Sequence, residues 1–222
     1  SPDLAYDDKA KMYLALGNKR NLEFSNRKEY YEKAREYYEN SNDEFRRIKV
    51  LVGLGNLHPE VEDLDDYKYR KECFESAKQL CDGKEDEKHM ILLARALLGE
   101  ANMFFGKFEQ RKPEEAINLL DLALKSLSKF NFPIVNKCKF QIYFAKAQLF
   151  LKSNSTSDML ACLEKCEKIR DDFEDDILKI RVYSFWIARS VEKLDALKAE
   201  DSPPQWVKDI LNKHEQCSLG KS

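Results

Sequence analysis

The chain has 222 residues, with 38 Lys and Arg against 40 Asp and Glu, a formal net charge of −2. Charged residues make up 35% and hydrophobic ones 43%, with seven Gly and six Pro, a mixture that suits a mainly helical chain with few breakers. The near-neutral balance gives no polyanion-binding signal, and no apolar run approaches the roughly 20 residues that a membrane-spanning helix needs.

The polar opening Ser1-Pro2-Asp3 carries no signal peptide, and the missing initiator Met suggests a piece of a longer protein. Six cysteines are scattered over mostly apolar helical positions, where a free thiol behaves as a small hydrophobe. That pattern points to a reducing, intracellular compartment, cytoplasm or nucleus, rather than to a disulfide framework.

Helical periodicity dominates, without a convincing alternating strand. The first pair of helices is expected at about 6–18 and 26–40, across a polar loop from Asn21 to Asn26. Asn42-Asp43-Glu44 reads as a cap and acidic first turn for a helix through Gly55, broken at His58-Pro59. The next helix spans about 66–82 and stops at Asp82-Gly83, where glycine can adopt the left-handed conformation. A third pair is expected at about 85–105 and 113–130, turning at Gly106-Lys107-Phe108-Glu109 and restarting at Pro113-Glu114-Glu115. The fourth pair occupies about 134–152 and 157–171, a fifth helix about 174–198, and a last helix about 204–215 leads to a tail at 217–222.

These segments repeat. Leu16-Gly17-Asn18, Leu54-Gly55-Asn56 and Leu98-Gly99-Glu100 each end an apolar helical stretch. The helices that follow carry Tyr31 and Ala34, Phe74 and Ala77, Leu120 and Ala123, and in a fourth copy Leu163 and Cys166. The small residues recur at steps of 43, 46 and 43 residues, a period that marks stacked helical repeats. Their lack of bulk lets the two helices of one unit approach closely.

Leu98 to Asn102, Gly106 to Glu109 and Glu115 to Leu124 together resemble a tetratricopeptide repeat with an insertion in its turn. Tyr143, Ala147, Phe150, Met159, Leu163 and Cys166 fall at that family's core spacings. The long period and the Leu-Gly-Asn tripeptides are most similar to the extended repeats of kinesin light chains and Pins-type adaptors. The resemblance implies an all-α, right-handed α-solenoid of antiparallel helix pairs with a C-terminal capping helix. Residues 1–222 would form one domain of repeats at about 6–40, 43–82, 85–130, 134–171 and 174–198.

In the resembled family the first helices line a concave groove. The residues after the equivalent small positions are Asn18, Asn56, Glu100, Gln148 and Arg189, all polar in otherwise apolar helices. An amide supplies both donor and acceptor and can hold the main chain of an extended peptide. Four residues earlier come Leu14, Val52, Ala96, Phe144 and Phe185, and one turn before those Lys11, Lys49, Leu93, Gln141 and Val182. The expected site is therefore Lys11, Asn18, Lys49, Asn56, Glu100, Phe144, Gln148 and Arg189, receiving a protein segment with apolar anchors and acidic residues. The chaperone-tail clamp of the family is excluded, because its basic positions hold Leu14, Leu93 and Leu97.

No phosphate-cradling loop, nucleophile elbow or HExxH motif is present, so the chain reads as a non-enzymatic interaction scaffold without cofactor, metal or membrane contact. Cys162 and Cys166 lack a completing ligand pair, and core packing accounts for them. Tyr30, Tyr31, Tyr37 and Tyr38 suit a packed helix face better than an RNA platform. Trp206 is placed in a capping helix. Two other readings stay open: a structural subunit of a large assembly binding through convex or end surfaces, and an RNA-binding helical repeat.

Overall fold

The computed structural model describes residues 2–19, 21–57, 63–105 and 113–174, together with Leu178. Among these residues there are eight α-helices and no strand: α1 (Pro2–Gly17), α2 (Phe24–Glu39), α3 (Glu44–Gly55), α4 (Leu64–Leu80), α5 (Glu87–Asn102), α6 (Pro113–Ser126), α7 (Pro133–Lys152) and α8 (Thr156–Ile169). Short 3₁₀ turns, Met103–Phe105 and Arg170–Asp172, extend α5 and α8. The described residues up to Phe173 form one compact unit. The expected breaks at His58-Pro59 and at Gly106 to Glu109 lie outside the described residues, as do the expected fifth and capping helices, with Val182, Phe185, Arg189 and Trp206.

Helix starts follow from local chemistry. Asp43, Asp63 and Asp86 each accept backbone N–H bonds from the first turn they precede, which satisfies donors that have no partner inside the helix. α7 begins on Pro133, whose missing N–H costs nothing at that position. α4 ends at Leu80, two residues before the expected stop, and Gly83 then turns the chain at φ +69°. Asn154 makes the corresponding left-handed turn between α7 and α8 at φ 58°.

Packing is sequential. α1 lies on α2, α3 on α4, α5 on α6 and α7 on α8, and each pair meets the next through α2–α3, α4–α5 and α6–α7. The first helices also touch across pairs, α3 on α5 and α5 on α7. Two buried clusters result: one runs from Ala10 to Met103 and the other from Ile91 to Leu149, with α5 contributing to both and half-buried Leu93 packed against each.

The repeat positions form the inter-helix contacts. Phe74, Leu120, Ala34, Ala77 and Ala123 are fully buried, while Tyr31, Leu163 and Cys166 are nearly so. Each large apolar side chain taken from water contributes about 1.5–3 kcal/mol. The glycines are required by the aromatics they face. A β-carbon on Gly55 would lie 2.5 Å from the Phe74 ring, and one on Gly17 would lie 2.9 Å from Tyr31.

Candidate functional site

On α1, Asp7, Lys11, Leu14 and Asn18 occupy one helix face, and on α3 Phe45, Lys49, Val52 and Asn56 do the same. Arg46 joins these helices by an ion pair to Asp7 at 3.3 Å, while its main partner is Asp43 at 2.5 Å. The Phe45 ring meets the His89 ring edge-on at a centroid separation of 5.4 Å, joining α3 to α5. Lys49 holds its ammonium 4.4 Å from the centre of the Phe45 ring.

Asn18 and Asn56 are both exposed, at equivalent places just past their helices. Part of each amide is already engaged. Asn18 Nδ2 donates to the Leu14 carbonyl at 2.7 Å, and its Oδ1 accepts from the Tyr31 hydroxyl at 2.9 Å. Asn56 Nδ2 donates to the Val52 carbonyl at 3.0 Å. These bonds close the C-terminal turns of α1 and α3, so the amides fasten the helix ends as well as facing solvent.

Several expected residues occupy other roles. Lys11 is held by Asp7 at 2.5 Å and Asp8 at 3.5 Å, and these bonds raise its pKa while lowering that of Asp7. Glu100 is buried, and Lys78 of α4 meets its carboxylate at 2.5 Å, so Glu100 joins helices rather than lining an open surface. Leu14, Val52 and Ala96 belong to the core, which removes most of the expected apolar strip. Phe144 and Gln148, one turn apart on α7, are half-buried, and Arg189 lies outside the described residues.

The shift on α5 has a physical cause. Gly99 lies against the Phe74 ring and the Asn56 side chain, and Glu100 is drawn towards Lys78. The exposed residues on α5 are therefore Lys88 and Arg95, the latter one position before the expected Ala96. Neither Lys88 nor Arg95 was singled out by sequence reasoning; their seven-residue spacing, two helical turns on one face, was the available signal.

Lys49, Lys88 and Arg95 have no carboxylate within ion-pair distance among the described residues, whereas Lys11, Lys33, Arg35, Arg46, Lys78 and Lys146 all do. Burial of its stem pushes the Lys49 pKa down, and repulsion from Arg46, Arg95 and Lys88 adds to that, against a smaller opposing pull from Asp43.

Arg27 and Arg70 also escaped the sequence reading. Each stands four residues before its repeat aromatic and donates Nε to a glycine carbonyl, Gly17 at 3.0 Å and Gly55 at 2.8 Å. Their separation equals the repeat step of 43, which was the signal available.

A depression of about 420 Å³ lies between α5 and α6 and is lined by Met90, Leu93, Leu97, Leu122 and Phe130, with Lys125, Lys129 and Glu85 at its edge. Among the described residues no group of three or more His, Cys, Asp or Glu is placed to hold a metal ion, and no helix is long and apolar enough to cross a membrane. No family model, curated protein or solved structure matches the chain.

Proposed function

We propose that the chain is a non-enzymatic protein-interaction module of the tetratricopeptide type, which holds a peptide segment of a partner on the face formed by its first helices. Sequential packing of α1 to α8, with α3 on α5 and α5 on α7, supports a stack of helix pairs whose first helices share one surface. The observation that carries the reading is the exposed polar row on the first helices: Asn18 just past α1, Lys49 on α3 with Asn56 just past it, and Lys88 and Arg95 on α5 all face solvent, the last four at helices rich in core residues. Asn18 and Asn56 also close their helix ends, whereas Lys49, Lys88 and Arg95 have no acidic partner among the described residues; these amides and cations match a ligand's main chain and acidic side chains. Phe45, Phe144 and Gln148, all half-buried, supply adjoining contact surface.

Affinity purification from cell extract tests this, comparing wild type with Phe144→Ala/Gln148→Ala. These positions are preferable to Asn18 and Asn56, whose amides close helix ends. With both proteins equally helical and equally stable, the double variant is expected to lose a dominant partner that wild type retains. Undiminished recovery of a large complex would reject the groove and favour a structural subunit binding through other surfaces.

A further inference from the structure

We infer that the step between α3 and α5 is a recognition site for a run of consecutive acidic residues in a partner polypeptide, read by Lys49, Lys88 and Arg95 over the Phe45–His89 ring pair. This rests on the interaction-module reading above and adds the ligand's chemistry and the residues that select it.

The geometry favours several negative charges over one. Three exposed cations stand on two helices in direct contact, none with an acidic partner among the described residues. Three of the nearby acids are already committed: Asp43 to Arg46 at 2.5 Å, Glu44 to Lys84 at 2.9 Å, and Asp86 to His89 at 2.6 Å. Like charges left together repel; the Lys49 pKa is lowered chiefly by burial, and the charges of Arg46, Arg95 and Lys88 add to that. A ligand carrying one carboxylate relieves one cation, whereas a run of Asp or Glu relieves all three.

The aromatic part of the site suits a polypeptide. Phe45 already holds Lys49 at 4.4 Å, which fixes the direction of that ammonium. The edge-on Phe45–His89 pair links the two helices and lines an open depression with Asn42, Asp43, Glu44 and Lys84, so an extended segment can cross from α3 to α5 along its rim. Nucleic acid would demand a wider basic surface than these three residues, on a chain whose net charge is −2.

Lys11 is excluded from this role because Asp7 and Asp8 already neutralise it. Selection of acidic side chains is therefore centred one repeat later than the sequence implies, between the second and third helix pairs.

The test uses the full 222-residue chain and a fluorescein-labelled twelve-residue peptide with a central Glu-Asp-Glu-Glu run, read by fluorescence anisotropy. Wild type is compared with Lys49→Gln/Lys88→Gln/Arg95→Gln and with a charge-matched control, Lys28→Gln/Lys68→Gln/Lys71→Gln, on second helices. The first triple variant is expected to bind about tenfold more weakly, and the control to bind as wild type does. Wild-type affinity should fall as salt rises, and a peptide with Gln and Asn in place of the acids should not bind. Equal loss in both variants, or no binding by wild type, overturns the inference, as does a twelve-nucleotide oligouridine that binds more tightly than the peptide. Should the acidic peptide fail while Phe144→Ala/Gln148→Ala still loses its cellular partner, the acid-reading site falls and the interaction module stands.

Discussion

Arg70 donates Nε to the carbonyl of Gly55 at 2.8 Å, and it does so from a position only 4% exposed. The bond satisfies one of the carbonyls that the end of α3 leaves without an intrahelical partner. Asp66, at 3.7 Å, balances the buried guanidinium, whose pKa is pushed down chiefly by burial. Arg70→Met keeps much of the side-chain volume and strands the carbonyl, so a loss of about 1–3 kcal/mol is expected. The equivalent Arg27→Met, at a half-buried site, should cost less. Urea unfolding monitored by circular dichroism measures both, and a neutral Arg70→Met would show that the bond contributes nothing.

Alanine normally stabilises a helix relative to glycine by roughly 0.5–1 kcal/mol. At Gly55 the sign should reverse. The added carbon would stand 2.5 Å from Phe74, a fully buried ring that cannot withdraw, and overpacking of this kind costs about 1–3 kcal/mol. Combining Gly55→Ala with Phe74→Leu should recover part of the loss, because the smaller side chain makes room. Thermal melts of the two singles and the double variant decide this; strict additivity would mean that the contact is not responsible.

The Lys78–Glu100 bridge should act as a strongly coupled pair. Removing Lys78 takes one partner from a carboxylate that is 4% exposed, and the loss of such a charge-assisted bond costs about 1.5–3 kcal/mol. Replacing both ends, Lys78→Met/Glu100→Leu, should leave the fold closer to wild type than Lys78→Met alone. A double-mutant cycle in urea gives the coupling energy, and a value near zero would return Glu100 to the surface role that its sequence position implies.

Alkaline pH should weaken the fold through its thiols. Burial pushes Cys73, Cys81 and Cys138 up to about 11, while an unfolded chain ionises its cysteines near about 8.5. The stabilisation is therefore complete below the unfolded value and is lost as pH climbs towards the folded one. Each thiol removes about 1.4 kcal/mol per pH unit within that window. Urea midpoints at pH 8, 9 and 10 should fall less steeply for Cys138→Ala than for wild type. Parallel curves would show that Cys138 ionises alike in both states.

The helix pairs could be read from the chain because their signals are local. Asp43, Asp86 and Pro113 mark starts by their own chemistry, and Gly83 marks a turn by its backbone freedom. The Tyr31, Phe74, Leu120 and Leu163 positions were visible through their spacing, since one buried side chain per repeat leaves a periodic trace. The exposed face was harder to read. On α3, Lys49 and Asn56 face solvent as the tripeptide frame implies, but on α5 the same frame lands on Ala96 and Glu100, which are buried. Orientation there depends on Lys78, Phe74 and Asn56, contacts from other helices that no window along α5 contains. Neutralisation of Lys11 was available in principle, because Asp7 and Lys11 lie at the i, i+4 spacing that favours pairing.

α5 belongs to both cores, and that makes it the place where the protein would tolerate being divided. A chain ending at residue 84 forfeits Leu92, Ala96 and Met103 from the first cluster, whereas one ending at residue 105 keeps every buried member of it. The second cluster, by contrast, loses Ile91, Ala94, Leu97, Leu98, Ala101 and Phe104 when α5 is taken away. A fragment of residues 1–105 should thus hold its own shape and offer a bare apolar flank, onto which a separately made fragment beginning at residue 113 can reassemble. The helix that joins the two halves in the intact chain would then serve as the template for their recombination.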